Sequence, residues 1–192
     1  MNLNDYPESV QFDFKSGTFA PCERKTIRRV SDLGMMYQDK GAVKKAIGEG
    51  DPVIYEIWYR DFPTSRSDMG LGVSRIYPGK VGSEYYMTKG HYHERDDQPE
   101  IYFCVKGQGY LILETEEGQF RSERWVPGTI SHIPPMWAHR VVNIGDEMLV
   151  FVATYHLSAG HNHKPIEERG FAQIVAERDG RPVFLPNERR RK

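Results

Sequence analysis

Only two cysteines occur in 192 residues, so no disulfide framework can organise the chain. Cys104 lies inside the apolar run Ile101-Tyr102-Phe103-Cys104-Val105, where a small hydrophobe serves equally well. That usage fits a reduced, cytoplasmic setting. No stretch approaches the ~18 apolar residues of a membrane helix. The opening Met1-Asn2-Leu3-Asn4-Asp5-Tyr6 lacks the apolar centre of a secretion signal, so a soluble protein that is not exported is expected. Charge of one sign is missing too. Against 27 Asp+Glu stand 26 Lys+Arg, a formal net charge of -1 that offers no basic field to nucleic acid or an anionic membrane. The one basic run, Arg189-Arg190-Arg191-Lys192, reads as a solvated, disordered tail. With no internal repeat and no convincing linker, a single domain is expected over 1–192. It divides into N-terminal strands and a helix over about 1–50, a barrel over 51–160, and a hairpin with the basic tail over 161–192.

Helical pattern is also scarce. Asp39 is a good N-cap, and Lys40 to Ile47 carries Val43, Ala46 and Ile47 on one face before Gly48 and Gly50. After that helix the chain reads as short strands rich in β-branched and aromatic residues. They run Val53 to Arg60, Gly70 to Tyr77, Glu84 to Thr88, Glu100 to Lys106, Tyr110 to Thr115, Gln119 to Trp125, Thr129 to Ile133, Ala138 to Asn143 and Met148 to Tyr155. Turn residues such as Pro78-Gly79-Lys80 and Pro127-Gly128 separate them. Spacing of roughly 8–12 residues without intervening helices predicts an all-β fold, an antiparallel barrel or sandwich, and argues against a dinucleotide-binding sheet. Arg178-Asp179-Gly180-Arg181 predicts a two-residue hairpin with a type I′ turn.

Histidine, by contrast, is plentiful, with seven in the chain. His91-Tyr92-His93 lies on or beside a strand, where a period of two sends both imidazoles to one face. Alone this pair is weak evidence for a site, because partly exposed sheet histidines are the commoner case. Glu100 opens the next strand after a polar loop, however, and His139 lies on a later one. Three imidazoles and a carboxylate suit Fe(II), Mn(II), Ni(II) or Zn(II) and are no soft thiolate site. Four protein ligands around an octahedral ion leave two positions for water or substrate, the form of a catalytic site.

The spacing His91-x-His93-x6-Glu100-x6-Gly107, followed twenty residues later by Gly128-x5-Pro134-x4-His139-x3-Asn143, resembles the two cupin motifs. It departs from the general pattern in the longer gap before its Glu and in Met136, which stands where that pattern has Gly. Both departures match the archaeal cupin-type phosphoglucose isomerases. So do Tyr77-Pro78-Gly79-Lys80-Val81-Gly82, Thr88-Lys89-Gly90-His91-Tyr92-His93, Pro134-Pro135-Met136-Trp137-Ala138-His139-Arg140 and Ala159-Gly160-His161. The resemblance spans roughly Phe12 to Val175.

It implies a double-stranded β-helix, or jelly-roll, barrel with one or few short helices and a metal inside. The implied activity is metal-dependent aldose–ketose isomerisation of glucose 6-phosphate and fructose 6-phosphate, in glycolysis or gluconeogenesis. The implied ligands are His91, His93, Glu100 and His139, holding one divalent transition metal per subunit, with Fe(II) ahead of Mn(II), Ni(II) and Zn(II). Glu100 doubles as catalytic base if the reaction runs through an enediol, and is a ligand only if a hydride shifts. Tyr55, Ser74, Thr88, Gly90, Tyr102, Tyr155 and His161 are implied to meet a sugar phosphate. Ser74 keeps the hydroxyl of a family Thr, and His163 replaces a family Tyr. His132 and His156 read as structural. A homodimer is implied, and the segment Gln11 to Val30 with Val53 to Arg60 offers strands to pair or pack across its two-fold axis. Two other readings are a cupin Fe(II) dioxygenase, whose chemistry the same ligand set supports, and a non-catalytic sugar-binding or storage cupin, which would not need four intact ligands.

Overall fold

Strand alternation builds most of this chain. In Glu100–Lys106, Glu100, Tyr102 and Cys104 are buried while Ile101 and Phe103 are exposed, the period of two that gives a strand an inner and an outer face. The computed structural model describes residues 7–64 and 68–190. In chain order these form β1 (Gln11–Asp13), β2 (Thr18–Ala20), β3 (Arg24–Arg29), α1 (Val30–Leu33), α2 (Lys40–Gly48), β4 (Val53–Pro63), β5 (Asp68–Ile76), β6 (Lys80–Val81), β7 (Glu84–Tyr85) and β8 (Glu100–Lys106). They continue with β9 (Gly109–Glu114), β10 (Phe120–Trp125), β11 (Ile130–Ile133), β12 (Ala138–Asn143), β13 (Leu149–Tyr155), α3 (Lys164–Arg169), β14 (Gln173–Arg178) and β15 (Arg181–Pro186).

The main sheet has six antiparallel strands in the order β11-β8-β13-β5-β4-β3. Facing it is the sheet β10-β9-β12, extended by bridges from Met87 to Val142 and from His91 to His139. The two inner faces meet where Trp125, fully buried, packs against Tyr102 and Phe151 with ring centroids 6.0 and 5.4 Å apart. Its indole N–H donates to Ser131 Oγ at 2.9 Å, so burying the ring leaves no unpaired donor. This is the expected all-β jelly-roll arrangement of facing sheets. A third sheet, β15-β14-β7-β6, backs the smaller one through Phe184, which meets Tyr110 and Phe120. The β14–β15 turn has φ of 51° at Asp179 and 70° at Gly180, as a type I′ hairpin requires.

The helix after Asp39 also forms as its capping signal predicts, with the Asp39 carboxylate accepting from Ala42 N–H at 2.8 Å. Val43 is buried, but Ile47 is 40 % exposed, so the apolar face is narrower than the sequence suggests. Several local expectations change. Lys80 begins β6 rather than ending a turn, and of the strand expected from Glu84 to Thr88 only Glu84–Tyr85 is regular, with Met87 held by an isolated bridge to Val142. The N-terminal strands are used within the chain: β3 pairs with β4, and Phe19 of β2 packs on Val73 and Val150 of the main sheet's outer face.

Arg189 and Arg190 are no solvated tail. Arg190 forms an ion pair with Glu114, a buried carboxylate that needs a counter-charge, and Arg189 donates to the Glu167 carbonyl. Arg191 and Lys192, like the opening residues 1–6, lie outside the described residues. Among the described residues no helix is long and apolar enough to cross a membrane.

Candidate active site

The inner face of the main sheet and the facing strands enclose a cavity of about 200 Å³. Glu100, the first residue of β8, and His139, the second of β12, project into it by strand parity. His91 and His93 come from the extended segment beside β12, held by reciprocal backbone bonds between His91 and His139 (3.3 and 3.0 Å). The bend before them requires glycine. Gly90 has φ of +79°, and a Cβ there would come within 2.8 Å of the Phe171 ring and 3.1 Å of the His139 carbonyl.

His91, His93, Glu100 and His139 each offer one donor atom, and all four lie within 4.8 Å of one another. Their orientation is set from behind. His93 Nδ1–H donates to the Gln98 carbonyl at 2.7 Å and His139 Nδ1–H to the Trp137 carbonyl at 3.1 Å, which turns the Nε2 lone pair of each ring inward. The Nε2 atoms of His91, His93 and His139 and Oε2 of Glu100 are buried without a hydrogen-bond partner, although His139 Nε2 stands 3.0 Å from Glu100 Oε2. Buried polar atoms are rarely left so, and inward lone pairs from three imidazoles and a carboxylate are what a first-row divalent cation would satisfy. The donor set therefore fits a metal ion.

The electrostatics suit the same purpose. Burial, with the neighbouring histidines, pushes the His91 imidazole well below its ordinary value, keeping it neutral and its lone pair free. Burial works against an ionised Glu100, but the His139 and His93 rings beside it outweigh burial and hold the carboxyl well below the usual range.

The residues expected around a substrate share this cavity. Tyr55, Ser74, Thr88, Gly90, Tyr102, Tyr155 and His161 all line it, together with His91, Glu100 and His139. Thr88 Oγ1 accepts from Val141 N–H at 3.1 Å, which leaves its proton to donate elsewhere. The Tyr155 ring lies over Gly70, where a Cβ would come within 2.4 Å of it. Burial raises the phenols of Tyr102 and Tyr155 and pushes Tyr55 up to about 12, so all three remain protonated donors. His161 sits at the mouth with its ring 4.3 Å from that of His91. His163 also lines the cavity, its Nδ1–H donating to the Gly90 carbonyl at 2.8 Å. His132 is exposed on β11 and takes no part.

Thr26, Arg28, Tyr59, Lys89 and Arg140 line the cavity as well and were not anticipated. Alternation within Thr26-Ile27-Arg28 was the available signal, but reading it required knowing that β3 pairs with β4. Arg140 acts from behind. Its guanidinium lies 4.8 Å from the Phe171 ring centre and donates to the Lys89 carbonyl at 2.6 Å, bracing the Gly90 bend.

Met136 provides a further detail. It adopts φ of +70° in the position where the general motif has Gly, so the backbone keeps the left-handed conformation with a side chain in place.

Comparison with known proteins places this geometry among named relatives. A sequence profile described as glucose-6-phosphate isomerase (GPI) matches residues 27–189. The glucose-6-phosphate isomerase of Thermococcus litoralis is 42% identical over 181 residues, 94% of this chain and 95% of that protein. The glucose-6-phosphate isomerase of Sinorhizobium medicae is 37% identical over 178 residues, 91% of this chain and 82% of that one. Among solved structures, the oxalate decarboxylase of Lactobacillus farciminis, as its formate complex, is similar with a TM-score of 0.46 and 22% identity, over 57% of this chain and 30% of that chain. This chain thus spans less than a third of the solved structure it matches.

Proposed function

This chain belongs to the glucose-6-phosphate isomerase family and interconverts glucose 6-phosphate and fructose 6-phosphate, and we propose that it does so with a metal ion held by His91, His93, Glu100 and His139. The observation that carries the metal reading is the convergence of four buried donor atoms with no hydrogen-bond partner. A bound divalent cation supplies Lewis-acid polarisation of nearby sugar oxygens. Fe(II) is the ion proposed, with Mn(II), Ni(II) and Zn(II) compatible with the same donors.

The protein's own groups account for the rest. Isomerisation moves one hydrogen between C1 and C2 of the sugar. Glu100, ionised and facing the cavity, is the carboxylate placed to take and return a proton in an enediol route; a hydride shift would leave it a ligand alone. Tyr102 and Tyr155, held protonated, donate to the oxygens that exchange carbonyl and hydroxyl character. Ser74, Thr88 and Tyr55 offer hydroxyls to the remaining hydroxyls and the phosphate, and His161 closes the mouth. In an anaerobic assay coupled to NADPH formation by glucose-6-phosphate dehydrogenase, the metal-loaded protein turns over fructose 6-phosphate. Oxygen uptake without isomerisation would instead support a dioxygenase.

The working unit is proposed to be a homodimer of a cytoplasmic enzyme. On the outer face of the main sheet, Ile101, Phe103 and Ile130 are 41, 38 and 67 % exposed on adjoining strands, β11 being the edge. An apolar edge of this kind is normally covered. Sedimentation as a monomer at micromolar concentration would contradict the dimer.

A further inference from the structure

The substrate's phosphate is a dianion near neutral pH, and it sits at the far end of the sugar from C1 and C2. A metal cluster that meets the reacting end leaves that charge to be matched elsewhere. Among the described residues three Lys or Arg side chains line the cavity, Arg28, Lys89 and Arg140. Two are committed. Lys89 Nζ forms an ion pair with Glu167, and Arg140 is held between the Phe171 ring and the Lys89 carbonyl.

Arg28 is different. Among the described residues no carboxylate lies within ion-pair distance of it, although Arg24, Lys25 and Arg60 around it on the same pair of strands are all paired with acids. Its guanidinium Nη1 donates only to the carbonyl of Ile27, at 3.2 Å. Strand register places it. Arg28 stands directly opposite Tyr55, and alternation puts Thr26 and Arg28 on the cavity side with Tyr55, Ile57 and Tyr59. It belongs to the edge strand of the main sheet, separated from β8 and Glu100 by the three strands β13, β5 and β4. His163, beside it, is fastened to the Gly90 carbonyl.

We propose that Arg28 binds the phosphate of the substrate and sets the preference of this site for phosphorylated over free sugars. The proposal rests on the reading of the cavity as a sugar-phosphate site. A half-buried guanidinium with no acid partner among the described residues offers two parallel N–H donors to phosphate oxygens and gives up no ion pair to do so. Because the phosphate takes no part in bond making, its loss of contact weakens ground state and transition state alike.

The test compares metal-loaded wild type, Arg28→Ala and Arg28→Lys. A charge-assisted hydrogen-bond pair predicts a KM for fructose 6-phosphate raised about 10- to 100-fold in Arg28→Ala with kcat nearly unchanged. Inhibition by inorganic phosphate weakens in the same proportion, inhibition by free fructose does not change, and Arg28→Lys recovers part of the loss. Unchanged KM and phosphate affinity in Arg28→Ala would overturn the assignment. So would a raised KM with unchanged phosphate affinity, which would mark a structural role. Failure of the wild type itself to turn over fructose 6-phosphate would instead strike the underlying reading of the site, and phosphate affinity measured on the same proteins keeps the two failures apart.

Discussion

Gly90→Ala is the substitution through which fold and site are most tightly joined. Its φ of +79° lies in the left-handed region, which costs an ordinary residue about 1–2 kcal/mol. The new methyl would meet Phe171 Cε2 at 2.8 Å, His139 O at 3.1 Å and Arg140 Cβ at 3.2 Å. Phe171 is fully buried against the Arg140 guanidinium and has nowhere to retreat, so overpacking adds about 1–3 kcal/mol. Reduced freedom of the unfolded chain returns about 0.4–1 kcal/mol. The net loss is centred near 3 kcal/mol, read by urea unfolding of the metal-free protein. The displaced carbonyl belongs to His139 and receives the His91 N–H, so the bridge between two proposed ligands opens as well. A titration with Mn(II) followed by electron paramagnetic resonance is expected to show affinity reduced about 10- to 100-fold, as for other changes just behind a metal site. A stability loss below about 1 kcal/mol with unchanged Mn(II) affinity would refute the reasoning.

Two further predictions concern charges away from the cluster. Arg190→Ala strands the carboxylate of Glu114, which is 1 % exposed, and is expected to cost about 2–3 kcal/mol in urea unfolding, allowing for the partial exposure of Arg190; no measurable loss would return these residues to a free tail. Glu56 is held by Lys25 Nζ at 2.6 Å and Tyr77 Oη at 3.0 Å, and although burial opposes its ionisation, these partners keep its carboxyl below the ordinary value. A depressed folded pKa stabilises above the unfolded value of ~4.3 and is lost as pH falls through the folded one. Glu56→Gln should therefore cost about 1 kcal/mol at neutral pH and progressively less below about pH 4. A penalty independent of pH would contradict the ion-pair account.

The parts of this molecule legible from sequence were those whose signal is local. His91, His93, Glu100 and His139 stand at motif spacing, the Asp179-Gly180 turn needs two positive φ angles, and Asp39 caps the helix that follows it. What escaped depends on pairing across distance. Thr26 and Arg28 become cavity residues only because β3 lies against β4, and Arg190 becomes structural only because Glu114 is buried where the C-terminal segment crosses. The helix α3 had ordinary boundary signals in Pro165 and Gly170, but six residues are too few to display a period. Ile47 carried the right periodicity and is still 40 % exposed, since the face of α2 meets its neighbours only through Val43, Ala46 and Ala42.

The central claim is that isomerisation depends on a cation held by His91, His93, Glu100 and His139. Fructose 6-phosphate turnover is measured anaerobically in the coupled assay before chelation, after chelation, and after adding back single ions, with metal content determined at each stage. The account predicts activity lost with the metal, restored by Fe(II), Mn(II) or Ni(II) far better than by Mg(II), and not restored in His91→Ala. Full turnover by protein shown to be metal-free, or restoration by Mg(II) alone, would contradict it.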